Sequence, residues 1–254
     1  MSIAIEKDGM VAYLHTQGFA GMACCIASQC GFIAGNQCPG MVKARSCHGE
    51  VVVLAELEIL MEGVCIMASL NPPVCDFGWK APDFNLPGVD GRHWSLEEVK
   101  GVNGTLVMFI CNHCPYVQAI RERLVADVRA LREFGINAVA ISSNDAVTYP
   151  EDSFEKMAEV AREFHFPFPY LFDESQQVAK AYGAVCTPDF FGFNAHLELQ
   201  YRGRFDNQGR SMTPVENPTR DLFNAMKQIA ETGRGPAEQV PSIGCSIKWR
   251  EPAE

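Results

Sequence analysis

The plainest signals in the sequence are two short, unbroken apolar runs, each followed by a stretch in which apolar residues return every three or four positions. The run Thr105-Leu106-Val107-Met108-Phe109-Ile110 carries no charge, as expected of a strand buried on both faces. Val117, Ile120, Leu124, Val128 and Leu131 then recur at helical spacing with Arg121, Glu122, Arg123, Arg129 and Arg132 between them, which predicts one long amphipathic helix. Residues 136–141 repeat the strand pattern. Phe154, Met157, Ala161 and Phe164 mark one face of a second helix beginning near Pro150. This alternation of strand and helix predicts an α/β fold with parallel strands joined by right-handed crossovers.

Flanking segments extend the pattern. Upstream, residues 81–84 read as extended, Asp90-Gly91 as a turn, and Ser95 with Glu98 as a capping box opening a short helix. Downstream, residues 168–172 predict a strand and residues 176–182 a short helix closed by Gly183. Residues 189–193 and 197–202 predict a hairpin turning at Asn194-Ala195-His196. A last helix is expected to start with Asn217 as cap and Pro218 at its first position, to bury Leu222, Met226 and Ile229, and to stop at Gly233. A tail, residues 234–254, follows.

Residues 1–66 have another character. They hold six of the eleven cysteines (24, 25, 30, 38, 47 and 65), one proline, Pro39, and no tryptophan. Only residues 50–64 suggest an element, one helix or strand. Met61-Glu62-Gly63 is encoded ATG-GAR-GGN, which can spell the purine-rich ribosome-binding sequence GGAGG just ahead of the Met67 codon. The expectation is therefore that residues 1–66 are an extension of translated upstream sequence and that the functional domain is 67–254. The competing reading is a cysteine-rich metal or redox segment, whose spacings match no zinc pattern.

Composition narrows the function classes. A net charge of -10 with Lys and Arg spread through the chain argues against a nucleic-acid partner. No apolar run reaches the roughly 20 residues of a membrane span, so no membrane partner is expected. The first residues carry Glu6 and Asp8 and lack the basic, apolar, small-residue order of a secretory signal, so the expected compartment is the cytoplasm. In such a compartment cysteines are more often catalytic, metal-bound or inert than structurally paired.

Spacing singles out Cys111-Asn112-His113-Cys114-Pro115, a CxxC between the buried strand and the long helix. The first thiol is expected at the helix N-terminus, where unpaired N–H groups and the helix dipole favour a thiolate. Cys111 is on this reading the nucleophile, and Cys114, one turn inside, closes a reversible disulfide. A protonated His113 would favour the thiolate further. Half a zinc site is the alternative, but a second ligand pair is missing; no metal and no cofactor are expected. Val185-Cys186-Thr187-Pro188 opens a later strand. A proline in cis there exposes the preceding backbone to a substrate peptide, whereas an ordinary loop proline does nothing. Cys186 and Cys245 are either packed, inert thiols or auxiliary thiols that resolve a mixed disulfide. Arg202, Arg204 and Asp206 either line a substrate groove or are solvated charges.

The segments APDFNLPGVDG, FICNHCPYV, VCTPDFFGF, YRGRFD and GCSIKW resemble the peroxiredoxin-like branch of the thioredoxin superfamily, in the alkyl hydroperoxide reductase and thiol-specific antioxidant (redoxin) group. The resemblance covers residues 67–254. It implies a thioredoxin-like fold with a central mixed sheet flanked by helices, a redox-active disulfide between Cys111 and Cys114, and a cis peptide before Pro188 facing it. Two features depart from the group. The peroxiredoxin pattern P-x-x-x-T-x-x-C fits neither cysteine: counted from Cys114 its Thr and Pro positions are Cys111 and Val107, and from Cys111 they are Met108 and Gly104. The activating arginine has no identifiable counterpart, and TLVMFI lacks the buried carboxylate of thioredoxins, which leaves proton handling to His113 or water.

The expected activity is thiol–disulfide oxidoreduction at Cys111 and Cys114, supported by His113, Thr187 and Pro188, on protein disulfides with a cellular thiol reductant. A thiol-dependent, antioxidant peroxidase with Cys114 peroxidatic is the first alternative. A redox-sensing binding module is the second.

Overall fold

The computed structural model describes residues 77–211 and 213–250 with their side chains, and the backbone of short strands between residues 2 and 70. The chain divides into two compact units, Met1–Ile66 and Met67–Glu254. In the first, Ser2–Lys7 pairs antiparallel with Met10–His15, and Ala44–Cys47 with Glu50–Val53. The sequence pattern predicted no element before residue 50. Asp8-Gly9, between the first two strands, is a two-residue hairpin signal which that reading passed over.

The second unit begins with β1 (Ser69–Leu70), the hairpin of β2 (Asn85–Pro87) and β3 (His93–Ser95), and the short helix α1 (Leu96–Val99). Ser95 and Glu98 form the capping box, each side chain taking the other's backbone N–H. Then come β4 (Gly104–Phe109), α2 (Pro115–Leu131), β5 (Ile136–Ser142), α3 (Phe154–Glu163), β6 (Tyr170–Phe172) and α4 (Gln177–Tyr182). The chain continues through β7 (Cys186–Thr187), β8 (Asp189–Asn194), β9 (Leu199–Tyr201), α5 (Asp221–Thr232) and β10 (Gly244–Ser246).

Five strands form the central sheet in the order β6-β5-β4-β8-β9. β4, β5 and β6 run parallel, while β8 and β9 join antiparallel, which makes the sheet mixed. Side chains alternate across it. Leu106 and Met108 share one apolar layer with Ile120 and Leu124 of α2 and Met226 and Ile229 of α5. Val107 and Phe109 share the other with Leu96 of α1 and Tyr182 of α4. All four β4 residues are fully buried, which explains its unbroken apolar run. Truncating Leu106 to Ala would cost about 2–5 kcal/mol through lost burial and an unfilled cavity.

One helix boundary differs from expectation. α5 starts at Asp221, not at Pro218. The Asn207 side chain donates to the Asn217 carbonyl and accepts from the Thr219 amide, which takes those groups out of a helical ladder. Among the described residues no helix is long and apolar enough to cross a membrane.

Candidate active site

β4 delivers the chain to an irregular loop, residues 110–114, at the carboxyl edge of the sheet. α2 begins at Pro115, so Cys114 is its N-cap and Cys111 stands ahead of the helix. This corrects the expected placement of Cys111 at the helix N-terminus with Cys114 inside. The proline ring disfavours helical backbone in the preceding residue, and Cys114 is accordingly extended at φ -66°, ψ 118°. Both thiols are buried and in the reduced form.

The two sulfurs are neighbours that act on each other's acidity, and both meet Thr187. Cys111 Sγ lies 3.3 Å from Thr187 Oγ1, and the Cys114 thiol donates to the Thr187 carbonyl at 3.0 Å. Burial pushes the Cys111 thiol well up, as do the hydrogen bond to Cys114 and the charge of Asp152. Cys114 is held far below the ordinary thiol range by hydrogen bonds from Cys111 and then Cys245. Thr187 and the first-turn amide of Val117 add to this, without a capping hydrogen bond being closed. These neighbours favour charge on Cys114 over Cys111, while the Thr187 carbonyl favours its protonated form, which alone can donate there. The sequence reading made Cys111 the nucleophile; the directions of the two thiol shifts favour Cys114 for that role.

Asp152 is completely buried under the loop. Its Oδ1 accepts from the backbone N–H of Asn112 at 2.8 Å and of His113 at 3.3 Å. Its Oδ2 accepts from Asn144 Nδ2 at 2.7 Å and lies 2.6 Å from His113 Nδ1. That last bond, reinforced by the carboxylate charge and opposed by burial, raises the imidazole pKa. The ring stacks on Tyr149, 5.5 Å between centroids, and its Nε2 is buried without a hydrogen-bond partner in the structure. Cys111 Sγ, a ring nitrogen of His113 and an oxygen of Asp152 lie within 4.8 Å of one another. Since four N–H contacts already fill the carboxylate, the triangle works as a hydrogen-bond set rather than an open ligand set.

Sequence reasoning missed Asp152. It occupies a 3-10 turn, Pro150–Asp152, that follows β5, and the loops after parallel strands gather at one sheet edge. An acidic residue shortly after the second parallel strand was the available signal.

The Thr187–Pro188 peptide is cis. β7, which precedes Pro188, has one edge taken by the chain itself: β10 pairs with it antiparallel, setting Thr187 opposite Cys245 and Cys186 opposite Ser246. The tail therefore covers one edge of the backbone that the sequence left available to a substrate peptide. Gly244 permits the approach, because a Cβ there would collide with the Thr187 carbonyl. Ser242 Oγ donates to the Pro188 carbonyl at 2.8 Å, Ile247 N to the Val185 carbonyl at 3.1 Å, and Lys248 N to Asn144 Oδ1 at 2.9 Å.

The auxiliary thiols separate. Cys245 joins the apolar cluster of Cys111 and Cys114, and the nearby Cys114 sulfur, with burial, pushes its own thiol up. Cys186 points elsewhere, its sulfur 3.7 Å from the Pro188 carbonyl, and burial raises its pKa. Of the remaining cysteines, Cys47 ends a strand described by its backbone, and the others, Cys75 among them, lie outside the described residues.

A groove of about 400 Å3 adjoins Pro188, lined by Tyr116, Phe205, Arg210, Val240 and Ile243 among others. Arg204 and Asp206 line it too, each in an ion pair, with Asp221 and Arg123 respectively. Arg202 is neither groove residue nor solvated charge: it is buried against Asp189 at 2.8 Å and stacks over Phe191.

The AhpC/TSA family model matches residues 77–205. An uncharacterized conserved protein from Geobacillus kaustophilus is 46% identical in a crystal structure, covering 74% of this chain and 99% of its own at a TM-score of 0.69. A hypothetical protein from Sinorhizobium meliloti is 39% identical, covering 71% and 98%, at a TM-score of 0.67. The thioredoxin domain of a thiol-disulfide oxidoreductase from Bacteroides vulgatus is a weaker likeness, 17% identical over 62% of this chain and 99% of its own, at 0.48. No curated protein matches. With the family model spanning half the chain and a mixed sheet flanked by helices, the protein has a thioredoxin-like fold and belongs to the AhpC/TSA, or redoxin, family.

Proposed function

We propose that the protein is a cytoplasmic thiol–disulfide oxidoreductase whose working groups are Cys111 and Cys114. The observation that carries this reading is the placement of two buried thiols at the cap of α2, both against Thr187, beside the His113–Asp152 pair. The Cys114 thiolate attacks a partner disulfide, forming a mixed disulfide and expelling one partner thiolate, which takes a proton. Cys111, having lost its proton, attacks Cys114 Sγ, closes the Cys111–Cys114 bond and releases the second partner sulfur. Two electrons pass to the partner, and a cellular thiol reductant restores the pair. Protonated His113 supports the negative charge on Cys114. The groove beside Pro188 receives the partner.

A second reading, a thiol peroxidase, draws on the lowered pKa of the Cys114 thiol and on β10, which takes one edge at Thr187 that a polypeptide would otherwise pair with. Cys114 thiolate and a protonated peroxide give a sulfenic acid and an alcohol or water, and the Cys111 thiol condenses with the sulfenic acid to the disulfide and water.

Turnover of an aryl disulfide and of hydrogen peroxide, each with dithiothreitol as reductant, separates the two. Cys114→Ser is expected to lose at least about a hundredfold of disulfide turnover. Peroxide consumption above the reductant background, lost in the same variant, with no disulfide turnover in the wild type, would replace the first reading by the second. Full disulfide turnover by Cys114→Ser would overturn both.

A further inference from the structure

The strand edge before Pro188 is occupied by the chain itself, and the residue that β10 sets opposite Thr187 is a cysteine. Cys114 Sγ meets the carbonyl of Thr187, the residue opposite Cys245, and all three thiols are buried in one apolar cluster, close enough to act on one another's acidity. The Cys245 sulfur thus sits against the sulfur that carries the exchange. We propose that Cys245 is a third redox thiol of this site, which exchanges with the Cys111–Cys114 disulfide to form a Cys114–Cys245 bond. The inference rests on the reading that Cys111 and Cys114 form a disulfide.

The step is redox-neutral. Cys245 thiolate attacks Cys114 Sγ; the Cys114–Cys245 bond forms as the Cys111–Cys114 bond breaks, and the Cys111 sulfur takes the proton that Cys245 gave up. No electron enters or leaves. In the reduced protein the neighbouring Cys114 sulfur, and after it burial, hold the Cys245 proton in place. Once Cys114 is bonded to Cys111 its hold on that proton is gone; burial still opposes the Cys245 thiolate, and Lys248 and Arg210 favour it. Exchange is thereby coupled to oxidation of the pair. Its outcome is a free Cys111 in an oxidised protein, a thiol available for a further exchange. Cys186 is excluded from this role by the alternation of β7, which turns its sulfur away from Cys114.

The test uses the full chain, reduced and then treated with oxidised glutathione, quenched in acid, alkylated and digested, with disulfide-linked peptides mapped by mass spectrometry. Wild type is expected to yield Cys111–Cys114 together with a Cys114–Cys245 population. Cys111→Ser, and independently Cys111→Ala, should convert the Cys114–glutathione adduct to Cys114–Cys245 with release of glutathione. Gly244→Ala, which forces β10 off Thr187, should cut that yield severalfold. A Cys111→Ser protein in which Cys114 retains glutathione while Cys245 is fully alkylated would overturn the proposal, even with Cys111–Cys114 forming normally in wild type. If wild type forms no bond between Cys111 and Cys114, the parent reading fails and this proposal falls with it.

Discussion

Asp152 and Asp189 are both completely buried, each against one cationic side chain, yet the two sites do opposite work. Asp189 faces Arg202, which is charged at every accessible pH, so the pair is a fixed cross-tie between the start of β8 and the chain beyond β9. Burial raises the Asp189 carboxyl and the guanidinium pulls it back. Asp152 faces an imidazole, whose proton comes and goes near neutrality, and also anchors the loop that carries both thiols. A permanent partner gives stability without response. A titrating partner, placed one residue from Cys114, passes its protonation state to the sulfur.

The largest effect should come from Asp189→Ala. It leaves the Arg202 charge buried and unpaired, at a cost of about 3–5 kcal/mol in urea denaturation, and leaves the pH dependence of Cys114 alkylation unmoved. Asp152→Asn should cost less, about 1–3 kcal/mol, through mismatched donors, and should lower the titration midpoint of His113 followed by NMR. If the imidazole titration stays in place in that variant, the contrast between the two acids collapses. Smallest is the stability change in His113→Gln. The folded-state pKa of His113 is raised, so its stabilisation is complete below the unfolded value of about 6.5 and fades as pH rises through the folded value. The stability gap between wild type and His113→Gln should therefore shrink from mildly acidic to alkaline pH, and remain below about 1 kcal/mol after solvent screening.

These two acids also mark the reach of sequence reading. Elements built on local periodicity were legible: the apolar run of β4, the spacing of Val117 to Leu131 and the capping box at Ser95 all occur where the pattern puts them. Local steric rules, had they been pressed, place Cys114 rather than Cys111 at the helix cap, since Pro115 follows it. What periodicity does not carry is which distant polar residue lies beneath the thiols. Asp152 reaches the loop only because β4 and β5 are parallel neighbours, and Cys245 only because a strand of three residues returns to β7 after an irregular stretch. Arg202 looked like a surface charge because nothing local reveals that Asp189 is buried beside it.

The seat of β10 on β7 also orders events during synthesis. The loop with Cys111 and Cys114 leaves the ribosome well before residues 241–248, so a nascent chain already folded through β9 holds its reactive sulfurs uncovered. Any thiol-reactive compound in the surroundings meets them in that interval. Closure by Gly244 and Cys245 then ends it, and the nascent chain's exposure to stray oxidation depends on how quickly translation of the tail is completed.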